Sequence, residues 1–135
     1  MEVRVDAPRE VVWRFLTAER DEWWPEMRFE AAVGSPLVQT WIEDGVQSTA
    51  TGHVTRCDEP QLLAFEWAEP GWSSPLDVEI RLTSEGTSTS VALIETGFAR
   101  ARTPISLPDE YEEGWRYHLA RLQRASEGRA ASGGV

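Results

Sequence analysis

The hydrophobic pattern changes period twice along the 135-residue chain. Glu2 to Asp6 alternates, with Val3 and Val5 on one side, and predicts a short strand. Pro8 suits the first helical position, where a missing N–H costs nothing. Val12, Phe15 and Leu16 follow at helical spacing beside Trp13, so Pro8 to Thr17 reads as helix. A second short helix is expected from Glu19 to Trp24, stopped by Pro25, which has no backbone donor.

After Pro25 the chain alternates. Met27 to Val33 and Leu37 to Glu43 read as strands parted by Gly34-Ser35-Pro36, and Asp44-Gly45 marks a hairpin turn. Ser48 to Cys57 is extended and threonine-rich, with Asp58-Glu59-Pro60 as the next turn. Leu63, Phe65 and Trp67 alternate, then Leu76, Val78, Ile80 and Leu82, then Val91 and Leu93. Helical spacing returns from Pro108 to Ser126, where Tyr111, Trp115, His118, Leu119 and Leu122 share one face. Glu110, Glu112 and Glu113 near its start and Arg121 and Arg124 near its end suit the helix dipole. Residues 128–135 are small and polar and read as a flexible tail, leaving 1–127 as a single domain.

These elements predict an α+β fold. A curved antiparallel sheet of six to seven strands presents one apolar face, and the long C-terminal helix presents one apolar stripe to cover it. Two short helices after the first strand close one end.

Composition sets limits on partners. Hydrophobic residues make up 41% of the chain and charged ones 27%, an ordinary balance for a folded domain. The net charge is −10, and residues 31–97 carry ten acids against two arginines, which disfavours nucleic acid and anionic membrane surfaces. All 13 basic residues are arginine, so no lysine is present for Schiff-base chemistry. No apolar run is long enough to span a membrane and no signal-peptide pattern opens the chain, so a cytoplasmic protein is expected. The single Cys57 has no internal disulfide partner, and a small hydrophobic role is expected for it. No nucleotide-binding glycine motif is present, and His53 and His118 lack metal-ligand spacing. No cofactor and no metal are expected.

Seven tryptophans are the most informative feature. Trp13, Trp23 and Trp24 read as wedges between the short helices and the sheet. Strand parity and the helix stripe aim Trp41, Trp67 and Trp115 at one interior, where an indole can wall a cavity for a partly polar organic molecule or simply fill a core. The same parity turns Gln39 inward with Leu37 and Trp41, and Glu95 inward with Val91 and Leu93. A buried carboxylate with a raised pKa is what a general base needs, which makes Glu95 the one catalytic candidate. The plainer expectation puts Glu95 in water at the strand end or against an arginine. Glu66, Asp77 and Glu79 have the opposite parity and read as a solvated outer face.

The ordered motifs resemble a known superfamily. Ala7-Pro8, Val12-Trp13, Leu16-Thr17 and Trp23-Trp24 come first, then Val33-Gly34. Gly52-His53-Val54 leads to Asp58-Glu59-Pro60 and Leu63-Ala64-Phe65-Glu66-Trp67, followed by Thr96-Gly97-Phe98 and Gly114-Trp115 with Leu119 and Leu122. Over residues 2–125 the chain resembles the START-like, helix-grip superfamily, also called SRPBCC or polyketide cyclase-like. Within it, the branch named after the activator of heat-shock protein 90 ATPase is most similar. Members often carry histidine where Glu95 stands, so no histidine role carries over to that position.

The resemblance implies a ligand-sized cavity between sheet and terminal helix. Its wall is expected from Gln39, Trp41, Phe65, Trp67, Val78, Ile80 and Leu93 on the inner face of the sheet. Tyr111, Trp115 and Leu119 would face them from the helix. The leading expectation is a binding domain for a hydrophobic or aromatic small molecule, as monomer or homodimer. Two alternatives stand beside it: a cyclase or aromatase in which Glu95 or Tyr111 moves protons, and a co-chaperone-like interaction module.

Overall fold

The structure, a computed structural model, describes residues 1–133. Seven strands form one antiparallel sheet in the order β1-β7-β6-β5-β4-β3-β2. They are β1 (Glu2–Val5), β2 (Met27–Arg28), β3 (Pro36–Glu43), β4 (Val46–Asp58), β5 (Leu62–Ala68), β6 (Leu76–Glu85) and β7 (Ser88–Thr96). Strands β2 to β7 run as a meander, and β1 closes against β7 with Val3 opposite Val91. Helix α1 spans Arg9–Leu16, α2 Phe98–Ala101 and α3 Leu107–Gly133, with one 3-10 turn at Arg20–Glu22. The curled sheet wraps α3 in a helix-grip arrangement, the predicted fold class.

Alternation does the work expected of it. Along β6, Leu76, Val78, Ile80 and Leu82 are buried while Asp77 and Arg81 are exposed. Leu63, Phe65 and Trp67 on β5 and Val91 and Leu93 on β7 turn to the same interior. From α3, Trp115, Leu119 and Leu122 meet them. Glu79 pairs with Arg81, Asp77 with Arg100, and Glu66 lies near His53, all on the outer face as their parity required.

Local details depart from the periodicity. The expected strand over 27–33 shrinks to Met27–Arg28, because the chain turns through Gly34 at φ 87° and hands its next hydrogen bonds to Val54. Pro8 sits just before α1 as its cap instead of within its first turn. The second helix contracts to the 3-10 turn, and α2 after Gly97 had no periodic signal. The terminal helix also outruns its predicted end at Ser126. Residues 128–133 continue α3 past Ser126, and residues 134–135 lie outside the described residues. The cause is tertiary: Arg129 donates to Glu19 at 3.1 Å and its guanidinium lies 5.1 Å from the Phe15 ring centre. Upstream, Gln123 donates to the Arg4 carbonyl at 2.7 Å, and Glu127 accepts from the Asp6 amide at 2.9 Å.

One glycine is dictated by backbone proximity. β4 pairs with β3 on one side and β5 on the other, and its register shifts between Val54 and Arg56. Before that shift, at Gly52 opposite Trp67, the two backbones lie so close that a Cβ on Gly52 would be 1.7 Å from the Glu66 carbonyl oxygen. Gly52→Ala therefore forces two strand backbones apart. It is expected to cost at least the ~1–3 kcal/mol typical of overpacking. Urea denaturation checks this, and an unchanged midpoint would contradict the close approach.

Candidate functional site

A pocket of about 580 Å³ opens between β3, the end of β5 and the first half of α3. Its size falls within the ~300–1,000 Å³ usual for small-molecule sites. β3, next to the edge strand β2, supplies Gln39 to Glu43. β5 supplies Trp67, with Glu69 just beyond it. α3 supplies Tyr111, Gly114, Trp115 and His118 on one face, and Trp24 closes the end.

The rings form a continuous wall. Trp67 and Trp115 lie 5.5 Å apart, and Trp24 meets Trp115 edge-on at 5.6 Å and 85°. Tyr111 stands 6.0 Å from Trp67, and the His118 imidazole stacks on Trp24 at 4.0 Å. Edge-to-face pairs of this kind are favoured by the ring quadrupoles. Because the rings meet steeply, the wall is a corner and not a flat platform.

Behind this wall sits Glu95. The Trp67 indole N–H donates to its Oε2 at 2.8 Å, and the Trp115 N–H donates to its Oε1 at 3.0 Å. Thus one carboxylate near the end of β7 ties β5 to α3. Burial pushes its pKa up from 4.5 to about 7, while the two indole hydrogen bonds pull the other way. The expectation of an exposed or arginine-paired Glu95 is corrected: partly buried, it answers two tryptophans. Parity aimed it inward correctly, but the indole donors that stabilise it lie 28 and 20 residues away. Glu95 is not among the pocket-lining residues, and each of its oxygens already holds a donor. Its geometry suits orienting the rings better than acting as a base.

The other polar groups differ in environment. The Tyr111 hydroxyl donates to Glu69 at 2.5 Å. Burial, then this bond and the charges of Glu69, Glu95 and Glu43, push the phenol pKa far up, so it stays protonated. His118 is held neutral, its pKa lowered to about 4 by burial and by Arg121. Its Nδ1 and the Trp24 indole nitrogen are buried without hydrogen-bond partners among the described residues. The Cys57 thiol lies against the Ala31 carbonyl at 3.4 Å with a raised pKa, which disfavours the reactive thiolate. Among the described residues, no group of three or more His, Cys, Asp or Glu side chains could hold a metal ion.

The expected wall residues therefore divide. Gln39, Trp41, Trp67, Tyr111 and Trp115 line the pocket. Phe65, Val78, Ile80, Leu93 and Leu119 do not; they are buried in the core beyond it. Parity gives the face a side chain points to, not whether space remains there. Trp24, expected as a wedge, and His118, read as part of the helix stripe, both join the lining. A second hollow of about 730 Å³ lies near Trp13, Arg20 and Phe29. Its buried Arg20 guanidinium is already taken up by the carbonyls of Thr17, Met27 and Phe29, so it offers little to a ligand.

Comparison with known proteins places this arrangement. The family described as "Activator of Hsp90 ATPase homolog 1-like protein" matches residues 6–127. The chain belongs to this family. That membership puts it in the START-like, SRPBCC superfamily. A search of curated proteins finds no match. Among solved structures, CalU16 from Micromonospora echinospora is 26% identical with a TM-score of 0.69, over 97% of this chain and 82% of that one. DynU16, from the dynemicin biosynthetic locus, is 23% identical with a TM-score of 0.74, over 92% of this chain but only 45% of that one. The Aha1 dimer from Colwellia psychrerythraea is 16% identical with a TM-score of 0.72, over 94% and 93%. At the identities of the last two, the likeness concerns the fold alone.

The raised Glu95 pKa has a consequence for stability. Between about 4.5 and about 7 the folded protein keeps a proton that the unfolded chain has released. This group's contribution to stability therefore falls as pH rises through that window and levels off above it, by about 3 kcal/mol in all. Glu95→Gln lacks the titration. Its stability relative to wild type should climb from pH 4.5 to 7, as read by urea denaturation at several pH values. A difference independent of pH would show that the carboxyl titrates normally.

Proposed function

We propose that this protein binds a small organic molecule in the pocket between β3, β5 and the first half of α3. The observation that carries the reading is the aromatic corner of Trp24, Trp67, Tyr111 and Trp115 around open space of about 580 Å³. Large rings usually close a core by meeting one another. Here they leave a ligand-sized volume, with the Trp67 and Trp115 nitrogens engaged on Glu95 behind the wall and the Tyr111 hydroxyl on Glu69 in the lining. Such a site combines an apolar body with a few placed polar groups, the usual make-up of a small-molecule pocket.

A cyclase or aromatase reading needs a proton-transfer group in contact with substrate. Glu95 stands behind the indoles, and Tyr111 holds its proton against Glu69. The two residues expected to move protons in a cyclase are thus not poised to do so, and the binding reading, which needs only the pocket, is the better supported.

The four indoles of the lining, Trp24, Trp41, Trp67 and Trp115, report directly on occupancy. Titration with naringenin, a polyphenol, and with the neutral probe N-phenyl-1-naphthylamine should quench or shift tryptophan emission. At a hundredfold excess over Kd, a ligand confined to the folded state adds ~2.7 kcal/mol, enough to raise the melting temperature by several degrees. Silence in both readouts across such a panel would count against a binding pocket.

A further inference from the structure

The pocket's charge distribution narrows its ligand, an inference that rests on the binding function proposed above. Four carboxylates line it, Glu26, Glu43, Glu69 and Glu110, and no arginine does. The chain contains no lysine at all. The remaining titratable cation candidate on the wall, His118, is neutral near pH 7. Arg121 donates to the Tyr117 hydroxyl at 3.2 Å but is not part of the lining.

Some acids elsewhere meet arginines, as Asp58 does Arg56, Glu79 Arg81, Asp77 Arg100 and Glu19 Arg129. None of the four pocket carboxylates has an arginine within 4 Å among the described residues. Two of them accept only from neutral groups of the wall, Glu69 from Tyr111 and Glu43 from the Trp41 indole at 3.4 Å. The negative charge at this opening is left without an internal counter-ion.

The aromatic wall supplies the second, independent component. Indole and phenol faces carry negative quadrupole potential and attract cations, by an amount that grows where water is excluded. A neutral apolar ligand would use the rings but gain nothing from the carboxylates. An anion would meet four like charges. We infer that the pocket's ligand is an organic cation, a protonated amine or quaternary ammonium carried on an apolar body. Its body packs in the corner of Trp24, Trp67 and Trp115, and its charged head lies toward the carboxylates.

Three probes of nearly equal shape test this: 4-hydroxyphenyltrimethylammonium, its neutral carbon analogue 4-tert-butylphenol, and 4-hydroxybenzenesulfonate. Tryptophan emission and calorimetry at low salt should show the ammonium binding at least about tenfold tighter than 4-tert-butylphenol, with no measurable binding of the sulfonate. Sodium chloride at 0.5 M should narrow the gap by screening. So should the double variant Glu43→Gln, Glu110→Gln, by at least about threefold; both residues are exposed, so the fold tolerates the change. Equal or tighter binding of 4-tert-butylphenol or the sulfonate would overturn the inference, as would a preference unchanged in the double variant. If naringenin binds while none of the three probes does, the cation inference falls and the binding function stands. If nothing binds, both fall.

Discussion

The sheet and the terminal helix are joined by one shared carboxylate. Glu95 on β7 accepts from Trp67 on β5 and from Trp115 on α3, so three elements distant in sequence converge on a single polar group. An indole N–H buried without an acceptor is costly, and so is a carboxylate buried without donors. Each solves the other's problem. The arrangement also decides where space remains: with the nitrogens drawn back to Glu95, the two indoles sit as the rear wall of the pocket and do not collapse into it. Tyr111 repeats the pattern one turn earlier, with its hydroxyl held by Glu69.

This interplay explains what could be read from the amino-acid order. The sheet was legible because period-two burial is a local property, visible in Leu76, Val78, Ile80 and Leu82 without knowing their partners. The helix stripe through Trp115, Leu119 and Leu122 was legible for the same reason. Glu95 was half legible. Its inward direction follows from Val91 and Leu93, but its environment depends on donors contributed by β5 and α3. The continuation of α3 to Gly133 likewise rests on Glu19 and Phe15, more than a hundred residues away, and the sequence around Gly128 gives no sign of it.

The pocket's boundary was the least legible feature. Phe65 and Trp67 share a strand, a face and near-complete burial, yet only Trp67 reaches the opening. The difference is depth along the strand, set by how far the sheet curls over the helix. Trp24 and His118 enter the lining by stacking on each other, a contact between the segment before Pro25 and the middle of α3. Charge was legible only in part: Glu43 and Glu69 belong to the acidic excess of residues 31–97, but Glu26 and Glu110, which join them at the opening, lie outside it.

The way α3 is mounted has a mechanical consequence. Its second half is fastened to the body of the protein by Gln123 on β1, Glu127 on the Asp6 amide and Arg129 on Glu19. Its first half, beside the pocket, reaches the sheet through the ends of long side chains, Tyr111 and Trp115, with open space where Gly114 would carry a Cβ. The helix is thus a beam clamped at one end and propped at the other. The space beside the pocket is bounded by a helix whose nearer half is tied by two side-chain hydrogen bonds, while its farther half is tied by three.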